Sequence, residues 1–137
     1  YPAQVAVALE YNAQFAARIY GGADLLLMPS RYEPCGLSQM IAMRYGCIPV
    51  VHAVGGLRDT VRDVTLGRGT GFVFSEPTTS AISEALERSR TLFAQPHRWQ
   101  AIQRRAMRQD FTWRKSARAY LAAYRRAMTF HNSQSRY

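Results

Sequence analysis

Cysteine is scarce: Cys35 and Cys47 are the only two in 137 residues. Two thiols could bridge, but so few in a chain without a secretory pattern favour reduced side chains in a cytosol. No CxxC pair occurs, and His52, His97 and His131 lie far apart. No metal site or other cofactor is therefore expected. Long apolar runs are missing too. The longest, Ala23 to Pro29, is interrupted by Asp24 and falls well short of the ~20 residues that span a bilayer. No basic start leads into an apolar core, as a signal peptide requires; the chain opens on Tyr1-Pro2 and enters a strand-like pattern almost at once. Acid is short in only one part of the chain. Up to Ser80, six basic residues balance six acidic ones; beyond it, twelve basic residues face only Glu84, Glu87 and Asp110. The net charge of +9 thus belongs to the last segment.

What is present suits one α/β domain. Apolar residues make up 47% and charged residues 20%, enough for a chain of this length to bury a core. Val5, Val7 and Leu9 alternate as in a strand over Gln4–Leu9, and Phe15 and Ile19 then sit four apart, as in a helix. Leu25–Met28, Ile48–Val51 and Gly71–Phe74 are short apolar runs. Between them, Leu37, Met40, Ile41 and Tyr45 mark one helix, and Leu57 and Val61 a shorter one. Continuous apolar strands between amphipathic helices predict a parallel, Rossmann-like sheet covered on both faces. The remainder reads as three helices: one after Pro77-Thr78-Thr79, one with Pro96 in its first turn, and one that Thr112 can cap. The polar stretch from His131 to Tyr137 is expected to fray.

The stretch that carries chemistry runs from Pro29 to Gln39. It leaves a buried strand and opens a helix, and ligands of open α/β sheets bind beyond the carboxyl ends of the strands. A helix start presents free N–H groups and partial positive charge, which suits phosphate. Gly36 permits close approach to the backbone, and Glu33 stands where a sugar's hydroxyls could donate to it. A second turn, Val54-Gly55-Gly56-Leu57, repeats this strand-to-helix geometry, and two neighbouring turns of this kind would line one cleft. Glycines after strands also serve as plain turn punctuation, a reading that stays open for Gly55 and Gly56.

Arg31-Tyr32-Glu33-Pro34-Cys35-Gly36-Leu37, Met43-Arg44-Tyr45-Gly46, Pro49 and Gly55 to Val61 together resemble bacterial glycogen synthases and plant starch synthases, the bacterial form more closely. Further agreement comes from Tyr1-Pro2 to Tyr11, Gly21 to Asp24, Gly71 to Phe74 and Asp110 to Trp113. The resemblance implies the C-terminal part of a retaining, metal-independent glucosyltransferase with the two-domain GT-B fold. Residues 1–111 would be a partial nucleotide-sugar-binding domain, and 112–137 a helix and tail crossing back to an N-terminal domain. Such enzymes move glucose from ADP-glucose to the non-reducing end of an α-1,4-glucan, in the cytoplasm. By motif position Glu33 would hold the glucose hydroxyls. Gly36, Leu37 and Ser38 would approach the phosphates or ribose, Tyr11 would stack on adenine, and Cys35 would line the cleft beside Gly55 and Gly56. The sequence departs from the bacterial pattern at Glu10, where glycine is usual, and at Val54, where threonine is usual.

The resemblance also implies what this stretch lacks: the N-terminal domain, and the first two strands of the C-terminal one with their basic phosphate-binding pair. In the strand order 3-2-1-4-5-6 those two would separate Gln4–Leu9 from Leu25–Met28, so Gln4–Leu9 is expected to pair abnormally or to lie out of place. Cys35 is read as a small packing thiol with no catalytic role, His52 as a strand-end side chain at a basic family position, and Asp59 as a complement to its helix start. Two other functions compete. One is a related GT-B transferase with another donor, although Ile41 stands where the common EX7E variant has its second Glu. The other is a basic, non-catalytic module for RNA or another polyanion, suggested by the C-terminal arginines. Those arginines are better explained as a solvated helix face, and the Trp113, Tyr120 and Tyr124 stripe as packing surface.

Overall fold

The computed structural model describes residues 3–10 and 12–134. In chain order these form α1 (Ala13–Gly22), β1 (Leu25–Met28), α2 (Ser38–Tyr45), β2 (Ile48–His52), α3 (Gly55–Thr60), β3 (Phe72–Phe74), α4 (Thr79–Phe93), α5 (Pro96–Met107) and α6 (Trp113–Gln134), with a 3-10 turn at Val64–Leu66. Local chemistry sets several boundaries. The Asn12 side chain accepts from the Phe15 N–H at 2.9 Å and starts α1; Thr78 does the same for α4 through Ala81. Pro96 occupies the first turn of α5, where its missing N–H costs nothing. Gly46, left-handed at φ 81°, ends α2.

The three strands form one parallel sheet in the order β1-β2-β3, with Leu25 opposite Ile48 and Val50 opposite Phe72. This is the α/β arrangement expected for the last three strands of the Rossmann order. Every residue of β2 is buried, as a central strand covered on both faces requires. Pro49 is tolerated there because pairing with β3 begins only at Val50, so its absent N–H costs no ladder bond. The core gathers Met43, Ile48, Val51 and Leu57 with Phe72, Trp99 and Ile102. Phe72 stacks on Trp99 at 6.4 Å, and Phe93 meets the same indole edge-on at 5.2 Å.

The other side of the sheet is open. Neither α1 nor β1 contains a fully buried residue, and Leu27 is exposed. The strand expected at Gln4–Leu9 is not formed: Val5, Val7 and Leu9 lie outside any ladder, and Leu9 is 94% exposed. Alternation supplies one apolar face, but a strand also needs a partner for its backbone, and none stands beside this segment among the described residues. At the other end of the chain, α6 continues to Gln134, beyond His131 where fraying was expected. Its residues are exposed from Trp113 to His131. Asp59 lies in the last turn of the six-residue α3, not at its start, so it cannot complement the dipole there. The hydroxyl and N–H of Thr112 are both bonded to Asp110, whose carboxyl they hold below its ordinary value; Asp110, not Thr112, supplies the side-chain oxygen before α6.

Candidate functional site

The segment from Ser30 to Leu37 leaves the carboxyl end of β1, and Ala53 to Gly56 leaves that of β2. Because the strands are parallel neighbours, both turns emerge on one edge of the sheet. There they touch backbone to backbone. The Gly56 N–H donates to the Glu33 carbonyl at 3.1 Å. A Cβ on Gly55 would collide with that carbonyl, and one on Gly56 with the Cys35 carbonyl. Gly55 also has φ +41°. Both glycines are thus required by a tight junction between the two turns, beyond turn punctuation.

Gly36 is left-handed as well, at φ +71°. Neither its N–H nor that of Leu37 donates to a backbone acceptor among the described residues. Both sit at the mouth of α2, where the helix dipole adds positive potential. Glu33, three residues before Gly36 in the same turn, is half-buried, and its carboxylate has no hydrogen bond or ion pair among the described residues. An unpaired acid in the same turn as free backbone donors can accept from hydroxyls while the donors receive an anion. Ser38 is the first residue of α2 and half-buried, whereas Leu37 is 66% exposed. Cys35 is exposed and lines a groove of about 500 Å³ with Leu37 and Met40, facing Phe111, Trp113 and Ser116 across it. Cys47, by contrast, is buried, and burial followed by the charge of Asp24 pushes its thiol up to about 11. Tyr11 lies outside the described residues.

Three other side chains shape this edge, and the sequence reading assigned none of them a role here. Gln39 and Thr60 lie between the turns. His52, read as a strand-end side chain, is only 6% exposed. Its Nδ1 lies 2.8 Å from the Ser30 carbonyl and its Nε2 3.3 Å from that of Ser75, so one ring spans the ends of all three strands. It also stacks on Phe74 at 5.6 Å. The signal that could have found it is a ring with two polar ends at the last position of a central strand, where both flanking chains end in carbonyls. Among the described residues, no group of three or more His, Cys, Asp or Glu could hold a metal ion. No helix among them is long and apolar enough to cross a membrane.

Residues 2–105 match the family described as Glycosyl transferases group 1. The chain belongs to this family. As a group 1 glycosyl transferase it is 47% identical over 135 residues to the glycogen synthase of Syntrophotalea carbinolica, covering 97% of this chain and 28% of that one. It is 50% identical over 127 residues to glycogen synthase 2 of Geobacter sulfurreducens, covering 91% and 26%. The fold is similar to the catalytic domain of starch synthase IV from Arabidopsis thaliana, solved with ADP and acarbose, with a TM-score of 0.78 and 35% identity over 88% of this chain and 26% of that one. Sucrose-phosphate synthase from Thermosynechococcus elongatus gives a TM-score of 0.68 at 25% identity, over 93% of this chain and 31% of that one. This glycosyl transferase therefore has the GT-B type of Rossmann-like sheet, and spans little more than a quarter of the glycogen synthases it matches.

Proposed function

We propose that this chain is the C-terminal, donor-holding part of a cytoplasmic glycogen synthase, which transfers glucose from ADP-glucose to the non-reducing end of an α-1,4-glucan with retention. The observation that carries the proposal is the junction of the two turns. It fixes the turn that carries both the unpaired Glu33 carboxylate and, three and four residues on, the free N–H groups of Gly36 and Leu37 at the mouth of α2. Glu33 accepts from the glucose hydroxyls. The Gly36 and Leu37 amides, with the Ser38 hydroxyl, take the diphosphate or ribose, and the charge that grows on the departing diphosphate is met by these donors and the helix dipole. Tyr11 stacks on the adenine. Cys35, Gly55 and Gly56 form the floor. No metal takes part. The glycogen synthase relatives and the starch synthase structure with ADP support the choice of donor.

The acceptor site and the basic groups that hold the phosphates come from the remainder of the enzyme, so the 137 residues alone are inactive. Residues 112–137 reach back to the N-terminal domain through the exposed stripe of Trp113, Tyr120 and Tyr124. Of the C-terminal arginines on which the polyanion reading rests, Arg88, Arg90, Arg98 and Arg105 hydrogen-bond within the chain, and those of α6 lie on an exposed helix, as a solvated face requires. The test is a calorimetric titration of the chain with ADP-glucose, UDP-glucose and RNA. ADP-glucose should bind, weakly for half a site, and Glu33→Ala should lower its affinity by about tenfold, the worth of a charged hydrogen bond. Salt-sensitive RNA binding, with no response to ADP-glucose and none to Glu33→Ala, would sink the proposal.

A further inference from the structure

Gln39, the second residue of α2, is fully buried. Its Nε2 lies 3.1 Å from the Cys35 carbonyl, 2.9 Å from that of Gly36 and 3.1 Å from the Thr60 hydroxyl. A primary amide carries two hydrogens, so the three acceptors share them. Thr60, the last residue of α3, gives its own hydrogen to the Gly56 carbonyl, and toward Gln39 it is therefore an acceptor. A continuous relay runs from the carbonyls of the first turn, through Gln39 and Thr60, to the carbonyl of the second.

The relay has a consequence for the first turn. All peptide bonds of the described chain are trans, so a carbonyl held inward sends the N–H of the same peptide the opposite way. Gln39 draws in the carbonyls of Cys35 and Gly36, and so turns the N–H groups of Gly36 and Leu37 outward, where neither meets a backbone acceptor. Gly36 is matched to this arrangement: a Cβ there would lie 2.5 Å from Gln39 Oε1 and 2.9 Å from its Nε2. Oε1 itself is buried and has no hydrogen-bond partner. Stability alone would not select an amide with an orphaned oxygen at this place.

We propose that Gln39 and Thr60 are positioning residues: together they orient the Cys35–Gly36 and Gly36–Leu37 peptides so that the two N–H groups face the donor's diphosphate. Which anion is received rests on the glycogen synthase reading; the coupling between the turns does not. Two readouts on the 137-residue chain keep these apart. The first is backbone ¹⁵N relaxation without ligand. Thr60→Val removes the two bonds of the Thr60 hydroxyl, to Gln39 and Gly56, at nearly constant volume and should loosen residues 35–37, while Thr60→Ser, which keeps the hydroxyl, should leave them as ordered as in the parent chain. The second is ADP-glucose affinity. Thr60→Val should weaken it about tenfold, as expected for loss of one well-placed hydrogen bond, with Thr60→Ser restoring it. Adding Gln39→Met to Thr60→Val should cost less than the sum of the two single changes. The inference is overturned if Thr60→Val lowers the melting temperature while residues 35–37 stay ordered. It is also overturned if the two changes simply add. A parent chain that ignores ADP-glucose overturns the donor reading and leaves the relaxation result to decide the relay.

Discussion

Gly56 and Gly22 differ only in what surrounds them. A methyl group on Gly56 would run into the backbone of Cys35, whereas one on Gly22, at the end of α1, meets nothing within 4 Å. Gly56→Ala should therefore cost about 1–3 kcal/mol, the range for forcing extra volume into a packed place, and should separate the two turns. Gly22→Ala should be neutral or slightly stabilising. Urea melts of both variants check this; equal costs would mean that the turns are not in contact. The sequence marked Gly36, Gly55 and Gly56 through their place after strands, and the contact explains why they are glycines. It did not mark the role of Gln39, which looks like an ordinary polar residue early in a helix. Only the meeting of α2 with α3 shows that its amide joins the first turn to Thr60, 21 positions further on.

At the scale of elements, apolar runs and helix periods were readable wherever an element carries its own signal. All three strands of the sheet and the helices flanking them follow from period and boundary chemistry. Gln4–Leu9 fails because its signal is only half of what a strand requires: the side chains alternate, but the partner backbone is elsewhere. The opposite edge shows the reverse. Asp63 pairs with Gly71 by a parallel bridge, accepts from the Val73 N–H at 2.7 Å, and binds Arg88 at 3.0 Å; Arg88 also donates to the Val73 carbonyl at 2.9 Å and lies 5.9 Å above the Phe72 ring. One carboxylate thus fastens β3 to α4, through partners too distant in sequence for any local pattern to reveal. Burial works to raise the Asp63 carboxyl, but the Thr65 N–H, Arg88, the Thr65 hydroxyl and the Val73 N–H together hold it below its ordinary value of 3.8. A carboxyl lowered in the folded state stabilises fully above its unfolded value, and loses that contribution as the pH falls through the folded one. Stability should hence fall with acid below about 4. Asp63→Asn should be less stable at neutral pH and show a flatter acid limb in thermal melts taken downward from about pH 5, above the ordinary carboxyl value. An unchanged acid limb would remove Asp63 from the account.

For the whole molecule, two open surfaces flank one finished junction. β1 presents an unpaired edge, α6 presents an apolar stripe to solvent, and between them the two turns already stand in contact at the carboxyl ends of the strands. The chain matches glycogen synthases along nearly all of its length and just over a quarter of theirs. This is why the family was readable in the sequence; under the proposed function, the acceptor contacts and basic phosphate-holding groups belong to no residue here. The central claim is that these turns receive the donor, and residue-resolved NMR of the chain with and without ADP-glucose tests it most directly. For half a site the dissociation constant should be about 1 mM, worth only ~4 kcal/mol, so ligand should be raised to about ten times that. The account predicts shifts at Glu33–Ser38, Gly55–Leu57 and Tyr11, with α4 and α5 silent. Shifts confined to the arginines of α5 and α6, or no shift at any of the turn residues, would contradict it.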